Sequence, residues 1–347
     1  MRILITGNLG YVGPGVVRHL RTVWPESRLL GYDTGYFAHC LTGVGALPEK
    51  RLDAQYFGDL RAFPEDLLEG VDAVVHLAAL SNDPMGNQFE DVTLEINHRA
   101  GVSLAEAARR ARVKTFVFAS SCSVYGAAAD GARTEASAVD PLTAYARSKV
   151  LLERNLESLA GPHFRVTCLR FATACGWSDR LRLDLVLNDF VAGALAAGKI
   201  TVLSDGSPWR PLIHVADMAR AIEWAVAPGR SGPDFLVMNA GSDAWNVQVR
   251  DLAQAVAAAL PGTEVSFNSA APPDRRSYRV DFSRFRALAP DHQPRVGLAE
   301  AVEGLRTGLQ GMGFADPEFR QSSLIRLHAL RGHRDAGRLD ERLYWIA

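Results

Sequence analysis

Residues 2–13 read RILITGNLGYVG, a short apolar run that ends in three glycines spaced three residues apart. An apolar run of this length before a glycine predicts a buried strand, and the amphipathic pattern from Pro14 to Val23 predicts a helix directly after it. Glycines in such a turn allow backbone N–H groups to approach a pyrophosphate at the helix N-terminus. The spacing is one residue longer than the usual dinucleotide fingerprint, so the turn alone also fits an ordinary glycine-rich loop.

Asp33 strengthens the dinucleotide interpretation of this turn. It closes the second predicted strand, 20 residues after Gly13. A carboxylate at this place accepts hydrogen bonds from an adenosine ribose and repels a 2′-phosphate. Positions 34–38 hold no Arg or Lys. The sequence therefore predicts NAD rather than NADP as the cofactor.

Short apolar runs alternate with longer amphipathic runs through the first half of the chain, which is typical of a parallel sheet covered by helices. After Arg170, segments rich in Gly, Pro and Trp interrupt shorter elements and predict a smaller second domain of loops and short helices. The predicted strands are 2–6, 28–32, 72–77, 115–119 and 165–170, and the predicted helices are 14–23, 99–111 and 145–160.

Composition excludes several classes of function. The 347 residues suffice for about two domains. Lys and Arg number 38 against 39 Asp and Glu, so no basic surplus exists to bind nucleic acid. No apolar run approaches the roughly 20 residues of a membrane helix, and the N-terminus lacks a signal-peptide pattern. We expect a cytoplasmic protein without a nucleic-acid or membrane partner, whose four cysteines are reduced and mostly buried.

Two further motifs contain candidate catalytic and ligand-binding residues. Tyr145 and Lys149 form a YxxxK pair one helical turn apart, where the ammonium would stabilise a phenolate for acid–base catalysis. The ordinary alternative is a surface pair of a tyrosine and a lysine. The predicted strand 115–119 runs into SSCSVYG, residues 120–126. Hydroxyls at the carboxyl end of such a strand lie where ligands bind in open α/β sheets.

Together these motifs resemble the extended short-chain dehydrogenase/reductases of the nucleotide-sugar epimerase/dehydratase family, with a pattern most similar to UDP-hexose 4-epimerases. The resemblance implies a doubly wound, parallel-sheet, NAD-binding (Rossmann) domain over 1–173 and about 211–241. A smaller α/β domain that binds a nucleotide-diphosphate sugar would take 174–210 and 242–347. It also implies a homodimer built on the helices near 99–111 and 145–160. Its motifs cover nearly the whole chain: the TGxxGxxG turn, Asp33, Gly58-Asp59-Leu60, His76-Leu77-Ala78-Ala79, Asn97, the Ser121 strand end, YxxxK and residues 209–217 (WRPLIHVAD).

The resemblance also assigns roles. Tyr145 would take the proton of the C4 hydroxyl, Ser121 would hydrogen-bond the same oxygen, and Lys149 would hold both the tyrosine pKa and the nicotinamide ribose. The family serine lies four residues before the tyrosine of VYG, which selects Ser121. Besides Tyr145 and Lys149, the expected cofactor residues are Gly7, Leu9, Gly10, Tyr11, Val12, Gly13, Asp33, Asp59, Leu60, Leu77, Ala78, Ala79 and Asn97. Besides Ser121 and Tyr145, the expected substrate residues are Ser81, Cys122, Ser123, Thr173, Arg180, Arg182, Asn188, Arg210 and Arg276.

By this resemblance the expected activity is C4 epimerisation through a transient 4-keto sugar. A 4-ketoreductase or a 4,6-dehydratase is the alternative, and a non-catalytic NAD sensor is an alternative of another class, although such sensors commonly lose the YxxxK pair. Dehydratases of this family carry Asp and Glu directly after the active-site hydroxyl, where this chain has Cys122 and Ser123. Thr173 stands where 4-epimerases usually have Asn.

The sequence gives less specific indications for several arginines, two histidines and the last residues of the chain. Arg180 and Arg182 would bind a substrate carboxylate or phosphate, or else form a solvated ion-pair cluster with Asp179 and Asp184. Arg276 is chosen over Arg275 as a second pyrophosphate-binding arginine. His76 and His214 are expected to be packing residues rather than bases. Residues 321–347 are expected to form a capping or dimer-contact helix.

Overall fold

The computed structural model describes residues 1–43, 45–127, 131–270 and 277–346. The strands are β1 (Arg2–Thr6), β2 (Arg28–Asp33), β3 (Ala54–Phe57), β4 (Ala73–His76), β5 (Thr115–Ser121), β6 (Ala132–Arg133), β7 (Arg165–Phe171), β8 (Thr173–Cys175), β9 (Lys199–Val202), β10 (Trp209–His214), β11 (Phe235–Ala240), β12 (Asn246–Gln248), β13 (Glu264–Phe267) and β14 (Arg279–Val280). The helices are α1 (Gly13–Val23), α2 (Asp83–Gln88), α3 (Glu90–Leu94), α4 (Ala100–Arg110), α5 (Ala144–Leu159), α6 (Val186–Ala197), α7 (Val215–Val226), α8 (Val249–Ala259), α9 (Ser283–Leu288), α10 (Leu298–Gly311) and α11 (Arg326–Asp335). A π-helical turn, Glu95–Arg99, joins α3 to α4.

A seven-stranded parallel sheet forms the centre of the first part of the chain. Its strand order is β11, β7, β5, β4, β1, β2, β3, so the order reverses between β1 and β4. This is the doubly wound arrangement that the sequence predicts, and it places a crevice at the carboxyl ends of β1 and β4. All eight predicted strands and helices are present, with ends that differ by at most two residues. Strands β3 and β11 were not predicted.

Helices cover both faces of the large sheet. Ile3 and Ile5 of β1 pack with α1 and α7, whereas Leu4 points to the opposite face and packs with α4 and α5. Because successive side chains of a strand alternate between faces, a strand covered on both sides is apolar throughout. The unbroken apolar run at residues 3–5 is explained by this double coverage.

The smaller part of the molecule is built on short sheets and longer helices than the sequence indicated. Strands β12, β10 and β8 form one sheet, β13 pairs with β9, and β14 pairs with β6. Helices α6, α8 and α10 contain 12, 11 and 14 residues, so the expectation of only short helices was wrong. Within 211–241, α7 and β11 pack on the large sheet, while 209–214 pairs with β8 and β12.

The C-terminal segment, residues 326–346, returns to the first part of the chain. Leu330, Leu339 and Leu343 are buried in one cluster with Tyr36, Leu80, Met85 and Phe89. The segment therefore caps its own chain, although the expected domain division assigned it to the smaller domain. Within the described ranges, no helix combines the length and the apolar character needed to cross a membrane. All four cysteines are buried and free.

Candidate active site

A cavity of about 900 Å³ opens at the carboxyl ends of the central strands. The ends of β1, β2, β4, β5 and β7 line it from one side, and Arg210 and Tyr278 line it from the smaller part. Ligands of open α/β sheets bind at this edge, and pockets for small molecules measure roughly 300–1,000 Å³. The cavity is therefore the candidate active site.

The three glycines of the first turn have different reasons to be glycine. A Cβ on Gly7, whose φ is +77°, would lie 2.4 Å from the backbone N of Ala78. A Cβ on Gly13 would lie 2.2 Å from the carbonyl oxygen of Asn8, so both positions are required by packing. Gly10 lines the cavity, where a Cβ would meet within the chain only Gly7 O at 3.2 Å. Its missing side chain leaves room for a phosphate at the start of α1, as a dinucleotide requires.

Asp33 is held by the backbone but keeps capacity for a ligand. Its Oδ2 accepts a hydrogen bond from Leu9 N at 3.0 Å, and its Oδ1 accepts one from Gly35 N at 2.7 Å. Burial raises the pKa of Asp33, while these two hydrogen bonds oppose that rise. A carboxylate has about four acceptor sites, so two remain for the ribose hydroxyls of NAD. The residues therefore fit this cofactor.

The other expected cofactor residues divide into those that line the cavity and those that support it. Leu9 supports the site through its backbone N–H, which donates to Asp33, and Gly13 packs beneath the turn. The Asn97 side chain is buried, where its amide accepts a hydrogen bond from Leu80 N and donates one to Leu80 O. The expectation that Asn97 contacts the cofactor is therefore corrected, because its side chain holds the chain after β4 in place. The members that line the cavity are Gly7, Gly10, Tyr11, Val12, Asp33, Asp59, Leu60, Leu77, Ala78, Ala79, Tyr145 and Lys149.

Ser121, Tyr145 and Lys149 meet in the cavity, as the motif spacing predicts. Ser121 ends β5 and shares a side-chain hydrogen bond with Tyr145, which lies in the first turn of α5. Thr143 caps this helix by accepting a hydrogen bond from Ala146 N. The ammonium of Lys149 donates to Ala119 O at 2.8 Å and lies 5.4 Å from the centroid of the Tyr145 ring. One donor of Lys149 is thus used by the backbone, and two remain for the cavity.

Burial shifts the acidity of both titratable members. It raises the pKa of Tyr145 to about 12, and the hydrogen bond from Ser121 and the charge of Arg182 oppose this rise. Burial lowers the pKa of Lys149 to about 7, against the attraction of Glu153. A lysine that titrates near neutral pH beside a tyrosine is a typical acid–base arrangement. The phenolate needs nearby positive charge to form at this pH.

Glu153 anchors this arrangement from below. Its carboxylate accepts hydrogen bonds from Arg170 Nη2 at 2.6 Å and from Ser120 Oγ at 2.5 Å, and all three side chains are buried. Arg170 also donates to Tyr125 OH at 3.0 Å. The network joins α5 to β5 and β7, the elements that carry Lys149, Ser121 and one wall of the cavity.

Several expected substrate residues line the cavity. Ser123 is notable because its Oγ is buried and has no hydrogen-bond partner within the described part of the chain. Arg210 donates from Nη1 to Trp209 O at 2.9 Å. The expected substrate residues found in the lining are Ser81, Ser121, Ser123, Tyr145, Thr173, Arg182 and Arg210. Arg275 and Arg276 lie outside the described residues.

Three expected substrate residues do not reach the cavity. The Cys122 thiol is fully buried, donates to Arg170 O at 3.1 Å, and has a pKa raised by burial, so it is neither a pocket residue nor an acid. Asn188 is fully buried and bonds Gly176 N at 2.9 Å and Tyr11 OH at 3.0 Å. Arg180 is only 2% exposed and is paired with Glu49 at 2.5 Å. These side chains point into the protein because internal partners satisfy their polar groups.

Arg182 lines the cavity, but its charge is already compensated. Its Nε and Nη2 donate to the two oxygens of Asp184 at 3.0 and 2.9 Å, and both side chains are mostly buried. Arg180 and Arg182 therefore do not form a paired site for a carboxylate. Of the alternative ion-pair cluster, the pair of Arg182 with Asp184 is present and is buried rather than solvated. Arg180 instead pairs with Glu49, and Asp179 lies 3.9 Å from Arg18.

Sequence reasoning missed an acidic residue near Tyr145. Asp83 lines the cavity, accepts a hydrogen bond from Thr143 Oγ1 at 2.7 Å, and raises the pKa of Tyr145 by its charge. Asn82 donates to Asp184 Oδ2. The stretch SNDP at 81–84 directly follows the predicted strand 72–77, and this position was the available signal.

The contact of the C-terminal segment with the cavity was also missed. Arg326 lines the cavity, as does the preceding Arg320, and Trp345 Nε1 donates to Thr34 O at 2.7 Å, one residue after Asp33. Arg61 Nη1 donates to Arg342 O at 2.7 Å. No motif marks this segment, so its place beside the cofactor end of the cavity had no signal in the sequence.

The two histidines expected to be packing residues lie close to the sheet. Burial lowers the pKa of His76 to about 3 and that of His214 to about 4, so both are neutral at pH 7. The Thr6 hydroxyl lies 2.8 Å from His76 Nδ1, while His76 Nε2 has no partner among the described residues. His214 caps α7 by accepting from Ala216 N.

The chain belongs to the NAD dependent epimerase/dehydratase family, whose model matches residues 3–241. The proteins of this family are enzymes that act on nucleotide sugars, and NAD is the cofactor of this chain. A protein of Bacillus subtilis named an uncharacterized UDP-glucose epimerase, YtcB, is 30% identical over 233 residues, which are 64% of this chain and 71% of that protein. A dTDP-glucose 4,6-dehydratase of Streptomyces niveus is 27% identical over 324 residues, 88% of this chain and 93% of that protein.

Solved structures of nucleotide-sugar enzymes are also similar to this chain. MoeE5, in complex with UDP-glucuronic acid and NAD, is similar to this chain with a TM-score of 0.76 and 28% identity, covering 89% of this chain and 99% of that one. An NAD-dependent NDP-hexosamine 5,6-dehydratase, TunA, has a TM-score of 0.75 and 25% identity, covering 91% and 99%. Both epimerases and dehydratases are therefore similar to the chain.

We expect Glu153→Gln to destabilise the protein by about 3 kcal/mol, because Arg170 then remains as a buried charge without its carboxylate. Urea unfolding of the nucleotide-free protein measures this change. Glu157→Gln, one turn further along α5 and exposed, is the matched control and should change the free energy of unfolding by less than about 0.5 kcal/mol. Equal stability of the two variants would contradict an anchoring role for Glu153.

Proposed function

We propose that this protein is a nucleotide-sugar 4-epimerase that inverts C4 through a transient 4-keto sugar, with Tyr145 as the base. The observation that carries the proposal is the meeting of Tyr145, Ser121 and Lys149 in the lining of one cavity. In the forward step Tyr145 takes the proton of the C4 hydroxyl and the C4 hydrogen leaves as hydride. Both return after the sugar has turned, so no net oxidation results. Bound NAD supplies the hydride acceptor and donor and, when oxidised, a positive charge.

The ammonium of Lys149 supports the role of Tyr145 as the base, because it lies next to the ring where the phenolate develops. The charges of Asp83, which raises the pKa of Tyr145, and Arg182, which lowers it, oppose each other. The Ser121 hydroxyl shares a hydrogen bond with the phenol, which supports its assignment to the substrate oxygen that Tyr145 deprotonates. General acid–base groups act when they lie within hydrogen-bond distance of the proton that moves. We therefore assign proton transfer to Tyr145, and we assign the orientation of the Tyr145 phenol to Ser121.

A 4,6-dehydratase is the second candidate, and one observation favours it. Dehydration needs an acid in the cavity to remove a hydroxyl, and Cys122 is buried away from it. The Asp83 carboxylate, however, lines the cavity close enough to raise the pKa of Tyr145. Asp83 could therefore provide the carboxyl group that dehydratases take from the Asp and Glu after the active-site hydroxyl. We rank epimerisation first because Asp83 is already bonded to Thr143.

The proposed substrate is a nucleotide-diphosphate sugar with a neutral hexose. Arg210 lies in the lining that the smaller part of the molecule contributes, and we assign the substrate diphosphate to it. The bidentate pair of Arg182 with Asp184 leaves no net positive charge for a substrate carboxylate. A uronate would meet the Asp184 carboxylate in the same lining. This arrangement favours uncharged sugars.

We expect purified protein, incubated with UDP-, dTDP-, GDP- and CDP-hexoses, to convert one of them into its C4 epimer at catalytic NAD. Nuclear magnetic resonance spectra of the product identify the C4 configuration and any 4-keto-6-deoxy sugar. A 4-keto-6-deoxy product would show that the protein is a dehydratase and not an epimerase. Consumption of one NADH per product would establish a 4-ketoreductase and contradict the proposal. Preference for a uronate would contradict the assignment of a neutral hexose.

Tyr145→Phe should lose at least about 100-fold in turnover, because the acid–base hydroxyl is removed while the ring remains. NAD bound per chain should be unchanged, which absorbance of the released nucleotide measures. Tyr56→Phe, on β3 outside the cavity lining, is the matched control and should keep full activity. Turnover of Tyr145→Phe at the level of that control would exclude Tyr145 as the base.

We also propose that the chain forms the homodimer expected from the resemblance, through the outer faces of α4 and α5. Apolar Val102 and Leu151 lie half-buried on these faces beside exposed Glu106 and Arg154. A mixed polar and apolar face of this kind is typical of protein interfaces. Light scattering in solution should report twice the mass of the chain, and reversal of charge at Arg154 should shift the equilibrium towards the monomer. The mass of a single chain for the unchanged protein would contradict the dimer.

A further inference from the structure

Arg326, the first residue of α11, is a buried cation in the wall of the cavity. Its side chain is 1% exposed and its guanidinium lies 4.9 Å over the ring of Phe37. Nη2 donates to Arg180 O at 2.7 Å. Within the described part of the chain, Nη1 is buried and has no hydrogen-bond partner. One side of the guanidinium is thus satisfied by the protein and the other is not.

The charge of Arg326 has no ion-pair partner at close range. Arg180 is paired with Glu49 at 2.5 Å, and Arg182 is paired with Asp184 at 2.9 Å. Among the residues that the structure describes, Arg326 forms no ion pair within 4.0 Å, and the carboxylate that attracts it is that of Asp184, which Arg182 already binds. Burial lowers its pKa to about 10, so it is still protonated at neutral pH. A buried charge without a counter-ion is strongly unfavourable, and a ligand anion in the cavity would supply one.

The neighbours of Arg326 indicate which anion this is. Phe37 belongs to the loop that follows Asp33, the residue that we assign to the adenosine ribose. Ser178 Oγ donates to Tyr11 O in the glycine turn at 2.6 Å, and Arg180 follows two residues later. Arg326 therefore lies between the ribose loop and a segment packed on the glycine turn. The glycine turn is where the diphosphate of a dinucleotide binds, whereas the substrate diphosphate is assigned to Arg210.

We propose that Arg326 binds the diphosphate of NAD, so that the C-terminal segment supplies a cofactor-binding residue from outside the 3–241 region that the family model matches. A planar guanidinium with one unpartnered nitrogen suits phosphate oxygens and stays charged at all physiological pH values. The proposal depends on NAD binding and is independent of whether the sugar is epimerised or dehydrated.

The rest of the C-terminal segment holds this arginine in place. Tyr36 OH donates to Leu343 O, and Trp345 Nε1 donates to Thr34 O at 2.7 Å. The guanidinium of Arg61, paired with Asp59, lies 3.4 Å over the ring of Tyr344. These contacts attach the segment to the loop after β2 and the turn after β3. The helix that begins at Arg326 is thereby anchored on the adenosine side of the cavity.

Isothermal titration of nucleotide-free, full-length protein with NAD, ADP-ribose, adenosine and UDP tests the proposal. Arg326→Met should weaken NAD and ADP-ribose binding by about 10- to 100-fold, the usual effect of losing a charge-assisted hydrogen bond. Adenosine, which lacks phosphate, and UDP, which probes the substrate diphosphate, should bind as before. Arg331→Met, on an exposed position of the same helix, is the matched control and should leave all four affinities unchanged.

Thermal unfolding separates binding from a merely structural role. Because Arg326 is buried without an ion pair of its own when no ligand is bound, nucleotide-free Arg326→Met should melt at or above the temperature of the unchanged protein. Saturating NAD should raise the melting temperature of the variant less than that of the unchanged protein. Arg326→Lys, which keeps the charge but loses the planar fork, should show an intermediate loss of NAD affinity and provides a second folded variant.

Three results would overturn the proposal. Unchanged NAD affinity in folded Arg326→Met would remove the contact. Weaker binding of UDP with normal binding of NAD would assign Arg326 to the substrate diphosphate. A lower melting temperature without ligand, together with equal losses for all four ligands, would mean that Arg326 only maintains the fold.

Discussion

The buried ion pair between Glu153 and Arg170 is the interaction on which the site depends. It joins α5 to β7, and through Ser120 it joins both to the end of β5. Tyr145, Lys149 and Glu153 repeat at intervals of four residues, so anchoring Glu153 fixes one face of the helix towards the sheet. Because an ion pair out of water is stable only when all its partners are in place, it also specifies one orientation of α5. The depth of Lys149 in the protein, and hence its lowered pKa, follows from that orientation.

Charge in and behind the cavity wall is arranged mostly in ion pairs. Arg180, behind the wall, and Arg182, in the lining, each have a carboxylate partner, while Arg326 forms no ion pair within 4.0 Å among the described residues. The net charge of the chain is −1, and it excludes a surface for a polyanion. It gives no information about one buried arginine, because an electrostatic interaction at low dielectric depends on the nearest groups and not on the total.

Sequence patterns predicted well which side chains share the cavity where the backbone determines geometry. The interval of Tyr145 and Lys149 on a helix, and the place of Ser121 at a strand end, brought all three to one cavity. The same patterns were wrong for Cys122 and Asn97, whose side chains are satisfied by Arg170 O and by the backbone of Leu80. Adjacent residues in a strand end or a turn point in opposite directions, so membership of a motif does not determine which of them faces a ligand.

The sequence by itself determined the doubly wound sheet, the glycine turn, the carboxylate at the end of β2 and the YxxxK pair, because each depends on local periodicity or on spacing within one element. Only the tertiary structure decided which arginines keep their charge for a ligand, because that depends on partners such as Glu49, which lies 131 residues before Arg180. The same holds for the return of residues 326–346 to the loop after Asp33. These contacts join parts of the chain about 300 residues apart, and no local pattern specifies them.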